Sequence, residues 1–161
     1  MFPIPQSRLV SDDTLRVRSL RNPEKKMSKS DPDARGCIYL TDGPDDVLEK
    51  CKKAVTDLEG RVTYDPEARP GVSNLVAIHA AITGQSPAEV CEEVAKCNTG
   101  KYKLVLAEVI NEHLRPIRTQ MDEHERDPEI VNAVLREGNA TAREIAEKTM
   151  EEVDKAVGFV R

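Results

Sequence analysis

The chain has 161 residues, of which 39% are hydrophobic and 33% charged, and its formal net charge is −5. This length allows one ordinary domain with a hydrophobic core. No apolar run approaches the roughly 20 residues that a membrane-spanning helix needs, so we expect no membrane segment.

The cysteines and histidines do not predict a metal site. No C-x-x-C pair is present, and no cysteine has a histidine at the spacing of zinc ligands. We therefore expect no bound metal, reduced thiols without a catalytic cysteine, and structural histidines. The residues concerned are Cys37, Cys51, Cys91, Cys97, His79, His113 and His124.

The first part of the chain, to about Ala34, predicts loop structure with one short strand. Apolar residues alternate with polar ones over Leu15–Leu20, the pattern of a half-buried strand. Between Arg16 and Arg35 seven lysines and arginines stand against three acidic residues, although the whole chain is acidic. A local positive field attracts phosphates, so this segment is a candidate for binding a polyanion. The alternative is a solvated surface loop.

Helices are predicted in the remainder. Pro44, with acidic residues in the first turn, begins a helix that we expect to end near Gly60. Leu75–Thr83 is apolar almost all round, which predicts a buried helix. Ser86-Pro87-Ala88-Glu89 has the capping-box pattern and begins the next helix.

Two longer helices are expected to complete the chain. Apolar residues at spacings of three and four follow from about Lys101, and Pro116 is expected to kink that helix. Asp127-Pro128 begins the last helix, and Gly158 is placed to end it in the left-handed conformation. The sequence thus predicts a mainly α fold, a helical bundle preceded by a short strand and a basic loop.

The basic loop contains a pattern suited to phosphate. Lys26 and Lys29 flank Met27 and Ser28, and Ser30 adds a second hydroxyl. Lysines and hydroxyls can follow a phosphate chain and stabilise the charge that builds on a leaving pyrophosphate. By composition alone the signal is weak, since Lys/Ser-rich surface loops are common and the glycines of a Walker loop are absent.

The pattern Lys26-Met27-Ser28-Lys29-Ser30 is identical to the signature of class I aminoacyl-tRNA synthetases. Further stretches resemble the tryptophan–tRNA ligases of bacteria and mitochondria, in particular their C-terminal part, over essentially the whole chain. These stretches are Phe2–Pro5, Arg16–Leu20, Ala54–Asp57, Tyr64–Pro66, Arg69–Leu75, Leu114–Ile117 and Gly138–Gly158.

This resemblance implies roles for individual residues. The five residues from Lys26 to Ser30 would bind the triphosphate of ATP, with Lys26 and Lys29 catalytic. The backbone of Val17 would lie against the adenine, and Mg²⁺ would accompany ATP without an identified protein ligand. Residues 1–36 would be the end of the catalytic domain, with the strand and the signature loop, and residues 37–161 the helical anticodon-binding region.

Four basic residues are candidates for contacting the anticodon, although a solvated helix face is the alternative. They are Lys101, Lys103, Arg115 and Arg118.

The activity implied by the resemblance is that of a parent enzyme, which activates tryptophan with ATP and transfers it to tRNA(Trp). No H-x-G-H motif and no parallel βαβ series is present in the sequence. We therefore expect the tryptophan site and half of the ATP site to lie on an N-terminal half outside this sequence, and this chain alone to be inactive.

The resemblance also favours the mitochondrial matrix, with the bacterial cytoplasm as the alternative, and a homodimer for the full-length family. Two other functions stay open. One is a free-standing helical module that binds RNA or protein without catalysis, and the other is a purely structural adapter.

Overall fold

The structure, a computed structural model, describes residues 16–159. Helices dominate this range, which confirms the predicted mainly α fold. Their bounds are α1 Pro44–Lys52, α2 Pro70–Thr83, α3 Pro87–Glu93, α4 Thr99–Arg126 and α5 Pro128–Val157, and a short 3-10 helix covers Ala34–Gly36.

The described residues form two compact units, 16–118 and 119–159. The first unit contains α1 to α3 and the beginning of α4, together with the basic loop. Its core is made of apolar side chains from all four helices and from the segments between them. The largest completely buried side chains include Tyr102, Leu20, Leu75, Leu106 and His79. The boundary between the catalytic domain and the helical region, which the sequence analysis placed between residues 36 and 37, stays a prediction.

The strand expected at Leu15–Leu20 is reduced to an isolated antiparallel bridge between Arg18 and Lys26. Leu15 itself lies outside the described residues. The pairing stays short because the chain turns back at Asn22 and because the Leu20 N–H donates to Gly36 O at 3.0 Å instead of continuing the pairing with the loop.

Helix α1 ends at Lys52, so the predicted end near Gly60 is wrong. The Val55 N–H donates to Leu20 O at 2.8 Å, and the chain is therefore extended where the apolar spacing suggested further helix. A helical Val55 would direct its N–H to a carbonyl four residues earlier. Because the Val55 N–H is bonded to Leu20 O, it cannot make this helical hydrogen bond.

Helix α2 is buried over most of its length, as its sequence predicted, although Ala81 and Thr83 in its last turn are exposed. Nine of its residues are buried, which accounts for the lack of a polar face. Gly84 ends the helix with φ +74°, and its N–H donates to Ala80 O. Glycine adopts this left-handed conformation without a steric penalty.

The predicted capping box of α3 is present. The Glu89 N–H donates to Ser86 Oγ at 3.3 Å, and the Ser86 N–H donates to Glu89 Oε2 at 2.7 Å. Both groups would otherwise be unsatisfied at the start of the helix. Local chemistry thus fixes where α3 begins.

The unit 119–159 consists of the end of α4 and all of α5. Helix α4 continues through Pro116 to Arg126. Asp127 caps α5, and Gly158 ends it with φ +83°, as predicted. No residue of α5 is buried, and within residues 16–159 no helix has the length and apolarity needed to cross a membrane.

Candidate functional site

Two hydrogen bonds attach the signature residues Lys26–Ser30, here called the phosphate loop, and the preceding Lys25 to the segment before them. The Ser19 N–H donates to Lys25 O and the Met27 N–H donates to Val17 O, both at 2.9 Å. These bonds flank the bridge between Arg18 and Lys26. In such a pair the two side chains lie on the same face, so Arg18 and Lys26 emerge side by side.

The middle of the phosphate loop is a turn with its hydroxyls together. Ser28 Oγ and Ser30 Oγ are 3.0 Å apart, and the Asp31 N–H donates to Ser28 O at 3.2 Å. Tyr39 OH donates to Lys29 O at 3.2 Å. Met27, the apolar residue of the loop, packs against the core, and this contact holds the loop to the body of the protein.

Several hydrogen-bond donors of the phosphate loop have no acceptor in the described part of the chain. Among residues 16–159, Lys26 and Lys29 contact no carboxylate, and the backbone N–H groups of Ser28, Lys29 and Ser30 donate to no acceptor in that range. Both lysine side chains are exposed. An anion with several oxygens could accept from ammonium, hydroxyl and amide groups at once.

Two acidic residues follow the phosphate loop: Asp31 accepts from the Asp33 N–H at 3.0 Å, and Asp33 is paired with arginines. Asp33 accepts from Arg35 Nε at 2.7 Å and from Nη2 at 3.0 Å, and Arg21 Nε lies 3.4 Å from it. The hydrogen bond from Arg35 lowers the pKa of Asp33 to about 2. The carboxylate is therefore ionised but paired, and it does not compete for Lys26 or Lys29.

Val17, whose backbone is predicted to lie against the adenine, lies at the start of the same bridge. Its carbonyl oxygen accepts a hydrogen bond from the Met27 N–H, and the residue is 44% exposed. The structure therefore joins Val17 and the phosphate loop through the hydrogen bond between Met27 N–H and Val17 O.

Asn74 of α2 contacts this same backbone, and its role was not predicted from the sequence. The Arg18 N–H donates to Asn74 Oδ1, and Asn74 Nδ2 donates to Arg18 O, both at 2.9 Å. Asn74 is only 6% exposed. An amide at a buried position of a mostly apolar helix was the available signal, because such a group must find partners.

Two other polar residues of the Arg69–Leu75 stretch contact different segments. The Arg69 guanidinium donates to both carboxylate oxygens of Asp57, at 2.9 and 2.6 Å, and this contact lowers the pKa of Asp57. Ser73 Oγ accepts from the Asp65 N–H at 2.8 Å. This stretch, noted for its family resemblance, is therefore a set of tertiary contacts around the start of α2.

Among residues 16–159, no group of three or more His, Cys, Asp or Glu side chains could hold a metal ion. All four cysteines are free thiols. His79 is buried beside Tyr102, with Nδ1 3.4 Å from the tyrosine oxygen, and burial lowers its pKa. His79 therefore serves the core, whereas His113 and His124 are exposed.

The four candidate anticodon residues are not brought into one cluster. The outermost two, Lys101 and Arg118, are 17 residues apart on α4, or roughly 25 Å at the rise of an α-helix. Lys101 is exposed, whereas Lys103 is half-buried and donates to Ala54 O at 2.7 Å. Arg115 pairs with Glu112, and Arg118 Nη1 donates to Asn111 Oδ1 at 3.1 Å.

Comparison with known proteins gives one family. The family model for tRNA synthetases class I (W and Y) matches residues 1–115. The chain is 42% identical to a mitochondrial tryptophan–tRNA ligase of Caenorhabditis elegans over 160 residues, which cover 99% of the chain and 43% of that protein. It is 36% identical to a tryptophan–tRNA ligase of the bacterium Leifsonia xyli, over 99% of the chain and 47% of that protein.

A solved structure, the tryptophanyl-tRNA synthetase of Mycoplasma pneumoniae, shares the fold. The TM-score is 0.74 at 24% identity, over 90% of this chain and 44% of that one. The chain therefore spans slightly less than half the length of the relatives it matches. The match falls on their C-terminal part.

Proposed function

This chain belongs to the tRNA synthetases class I (W and Y), and from that premise we propose that it is part of a tryptophan–tRNA ligase. The parent enzyme would activate tryptophan with ATP and transfer it to tRNA(Trp). Residues Lys26–Ser30 would bind the triphosphate of ATP, with Lys26 and Lys29 as the catalytic residues.

The observation that supports this proposal best is the cluster of unused donors in the phosphate loop. Lys26 and Lys29 have no acidic partner in the described part of the chain, and three consecutive N–H groups and two hydroxyls lie beside them. A triphosphate carries enough oxygens to accept from all these groups. Lysines placed at a departing pyrophosphate stabilise the transition state more than the ground state, which is the requirement for catalysis.

Adenine would lie against the backbone of Val17, which is hydrogen-bonded to Met27 at the start of the same bridge. Mg²⁺ would arrive with the nucleotide and be held mainly by phosphate oxygens and water, as this small cation usually is. Tryptophan would bind on residues outside this sequence, on the N-terminal half of the parent. For this reason we propose that the 161 residues alone bind polyphosphate but do not activate tryptophan.

The direct test is the binding of inorganic tripolyphosphate and of Mg²⁺–ATP to the chain by titration calorimetry. We expect saturable binding, weakened about tenfold or more by Lys26→Ala and by Lys29→Ala, since each removes a charge-assisted contact. Lys96→Ala, which removes an exposed lysine elsewhere in the same unit, is the matched control. If all three variants bound as tightly as the unsubstituted chain, the result would contradict the proposal and favour the structural adapter.

For tRNA, we propose that the helical part binds tRNA(Trp). The supporting observation is the name of the relatives, each a tryptophan–tRNA ligase. Gel-shift titration with tRNA(Trp) and with a non-cognate tRNA tests it. RNA binding in the absence of polyphosphate binding would instead favour the free-standing module.

For the compartment, we propose the mitochondrial matrix, supported by the mitochondrial relative at 42% identity. Fluorescence microscopy of the tagged parent protein would check it, and a diffuse cytoplasmic signal would contradict it.

For assembly, we propose the homodimer expected of the full-length family. Light scattering of the full-length parent would test it.

A further inference from the structure

We propose that Asn74 is a positioning residue for the phosphate loop. Its side chain holds the backbone of Arg18, the residue to which the loop is paired, and thereby fixes where Lys26 and Lys29 stand. The inference rests on the proposed function, because it assigns to α2 the task of placing the phosphate donors.

The backbone segment Val17–Ser19 makes hydrogen bonds along both of its edges. In extended backbone, successive residues direct their N–H and C=O groups to alternate sides. The Val17 carbonyl and the Ser19 N–H are directed to the loop, where they meet Met27 and Lys25. Both backbone groups of Arg18 point the other way and meet the amide of Asn74. One short segment is therefore held from both sides.

Asn74 takes the place that a neighbouring strand would have. Its amide offers one acceptor and one donor to one residue, which is the pairing that a strand partner gives. Two bonds at 2.9 Å from a single planar group fix both the distance and the direction of the Arg18 backbone. Since Asn74 belongs to the buried helix α2, the segment is fixed relative to the core.

No other described group holds this edge at Arg18. Farther along, Leu20 is bonded to Gly36 and Val55, so that end of the segment has its own support. At the end toward the phosphate loop, both backbone groups of Arg18 are hydrogen-bonded to Asn74. Loss of the Asn74 amide would free the backbone of Arg18, to which Lys26 is paired and next to which Met27 is bonded. The contacts of the core would remain.

The contact is separable from its surroundings. Ser73, the residue before Asn74, is equally buried and also bonds a loop, but its partner is the Asp65 N–H. Ser73→Ala should therefore perturb the start of α2 to a similar degree without freeing Arg18. It serves as the matched control for Asn74→Ala.

The first measurement is amide hydrogen exchange by NMR on the 161-residue chain. The Ser19 and Met27 N–H groups report the attachment of the loop, and the Tyr102 N–H, bonded to Asn98 O, reports the core. In Asn74→Ala we expect Ser19 and Met27 to exchange about tenfold faster, the result of local opening without global unfolding. Tyr102 should keep its rate, and Ser73→Ala should change neither loop amide.

The second measurement is the affinity for inorganic tripolyphosphate. Asn74→Ala should weaken it about tenfold although Lys26 and Lys29 are intact, because misplaced donors lose directional contacts. Asn74→Asp keeps the acceptor for the Arg18 N–H but loses the donor to Arg18 O, and we expect an intermediate value in both measurements. If Asn74→Ala does not fold, Asn74→Asp against Ser73→Ala decides on the same amides.

The possible outcomes separate the two proposals. Unchanged exchange at Ser19 and Met27 in the Asn74 variants would overturn the positioning role, and so would an equal loss of affinity in Ser73→Ala. If the exchange rates change as expected but the unsubstituted chain binds no tripolyphosphate, the phosphate function fails while the mechanical link to the loop is established.

Discussion

Gly71, in the first turn of α2, lies against the backbone of Val55. A Cβ on Gly71 would stand 2.4 Å from the Val55 carbonyl oxygen and 3.2 Å from the Cα of Thr56. Both atoms belong to the main chain, which cannot rotate away as a side chain could. The segment after α1 can therefore approach α2 this closely only because residue 71 has no side chain.

We predict that Gly71→Ala lowers the free energy of unfolding by about 1–3 kcal/mol, the usual effect of overpacking a close contact. Thermal or urea unfolding followed by circular dichroism measures it. Gly100→Ala is the control in the same unit, since its Cβ would meet only Asn98 Oδ1 at 3.4 Å. A Gly71→Ala protein as stable as the control would show that the two segments are not in contact.

Arg69 joins two segments through a nearly buried guanidinium. We predict that Arg69→Met lowers stability at neutral pH by about 1–2 kcal/mol, the lower part of the range for charged hydrogen bonds. The reduction is expected because the Asp57 side chain is 35% exposed and water screens the pair. Lys53→Met, which breaks an exposed pair with Glu49, should cost less.

The Arg69–Asp57 pair should also depend on pH. Arg69 lowers the pKa of Asp57 in the folded protein, so the pair adds stability above the unfolded aspartate pKa of about 3.9 and loses it as pH falls through the lowered value. The difference between wild type and Arg69→Met should shrink from pH 7 to acid pH. Urea midpoints at both pH values test this, and a constant difference would contradict it.

The cysteines should differ in reactivity. Burial raises the pKa of the Cys51 thiol to about 11, and its side chain is fully buried. We predict that iodoacetamide at about pH 8 labels the half-buried Cys97 first and Cys51 only when the protein unfolds, since the thiolate is the reacting form. Peptide mass spectrometry measures both rates. Labelling of Cys51 as fast as Cys97 would contradict the buried position.

Helix starts were predictable because their chemistry is local. Ser86 and Glu89 cap α3 within four residues, and Asp127 caps α5 immediately before Pro128. Such signals can be found in the sequence without knowing the tertiary structure. The predicted starts of these helices are accordingly confirmed.

The end of α1 and the length of the first strand depended on distant partners. Val55 leaves the helical pattern to bond Leu20, 35 residues earlier, and Arg18 is held by Asn74, 56 residues later. Apolar spacing carries no information about such pairs, because it reports only which face is buried. The same reason hid the contact of Asn74 with the candidate site, although the signature Lys26–Ser30 itself was found.

The charge pattern on helix α4 was less informative than that of the basic loop, and Lys103 shows why. It was a candidate for contacting RNA, yet its ammonium group donates to Ala54 O at 2.7 Å, and burial lowers its pKa. Lys101, two residues earlier, is exposed. A sequence cannot distinguish the two lysines, since only the folded chain decides which one has a protein partner.

We predict that Lys103→Met lowers the free energy of unfolding by about 1–2 kcal/mol and leaves the affinity for tRNA(Trp) unchanged. Methionine keeps the apolar packing of the lysine stem, so the loss reflects the charged hydrogen bond to the buried carbonyl of Ala54. Lys101→Met should change stability by less than about 0.5 kcal/mol. Urea unfolding and gel-shift titration of both variants measure the two effects separately. If Lys103→Met instead weakened tRNA binding at unchanged stability, Lys103 would contact RNA and its bond to Ala54 would contribute nothing to the fold.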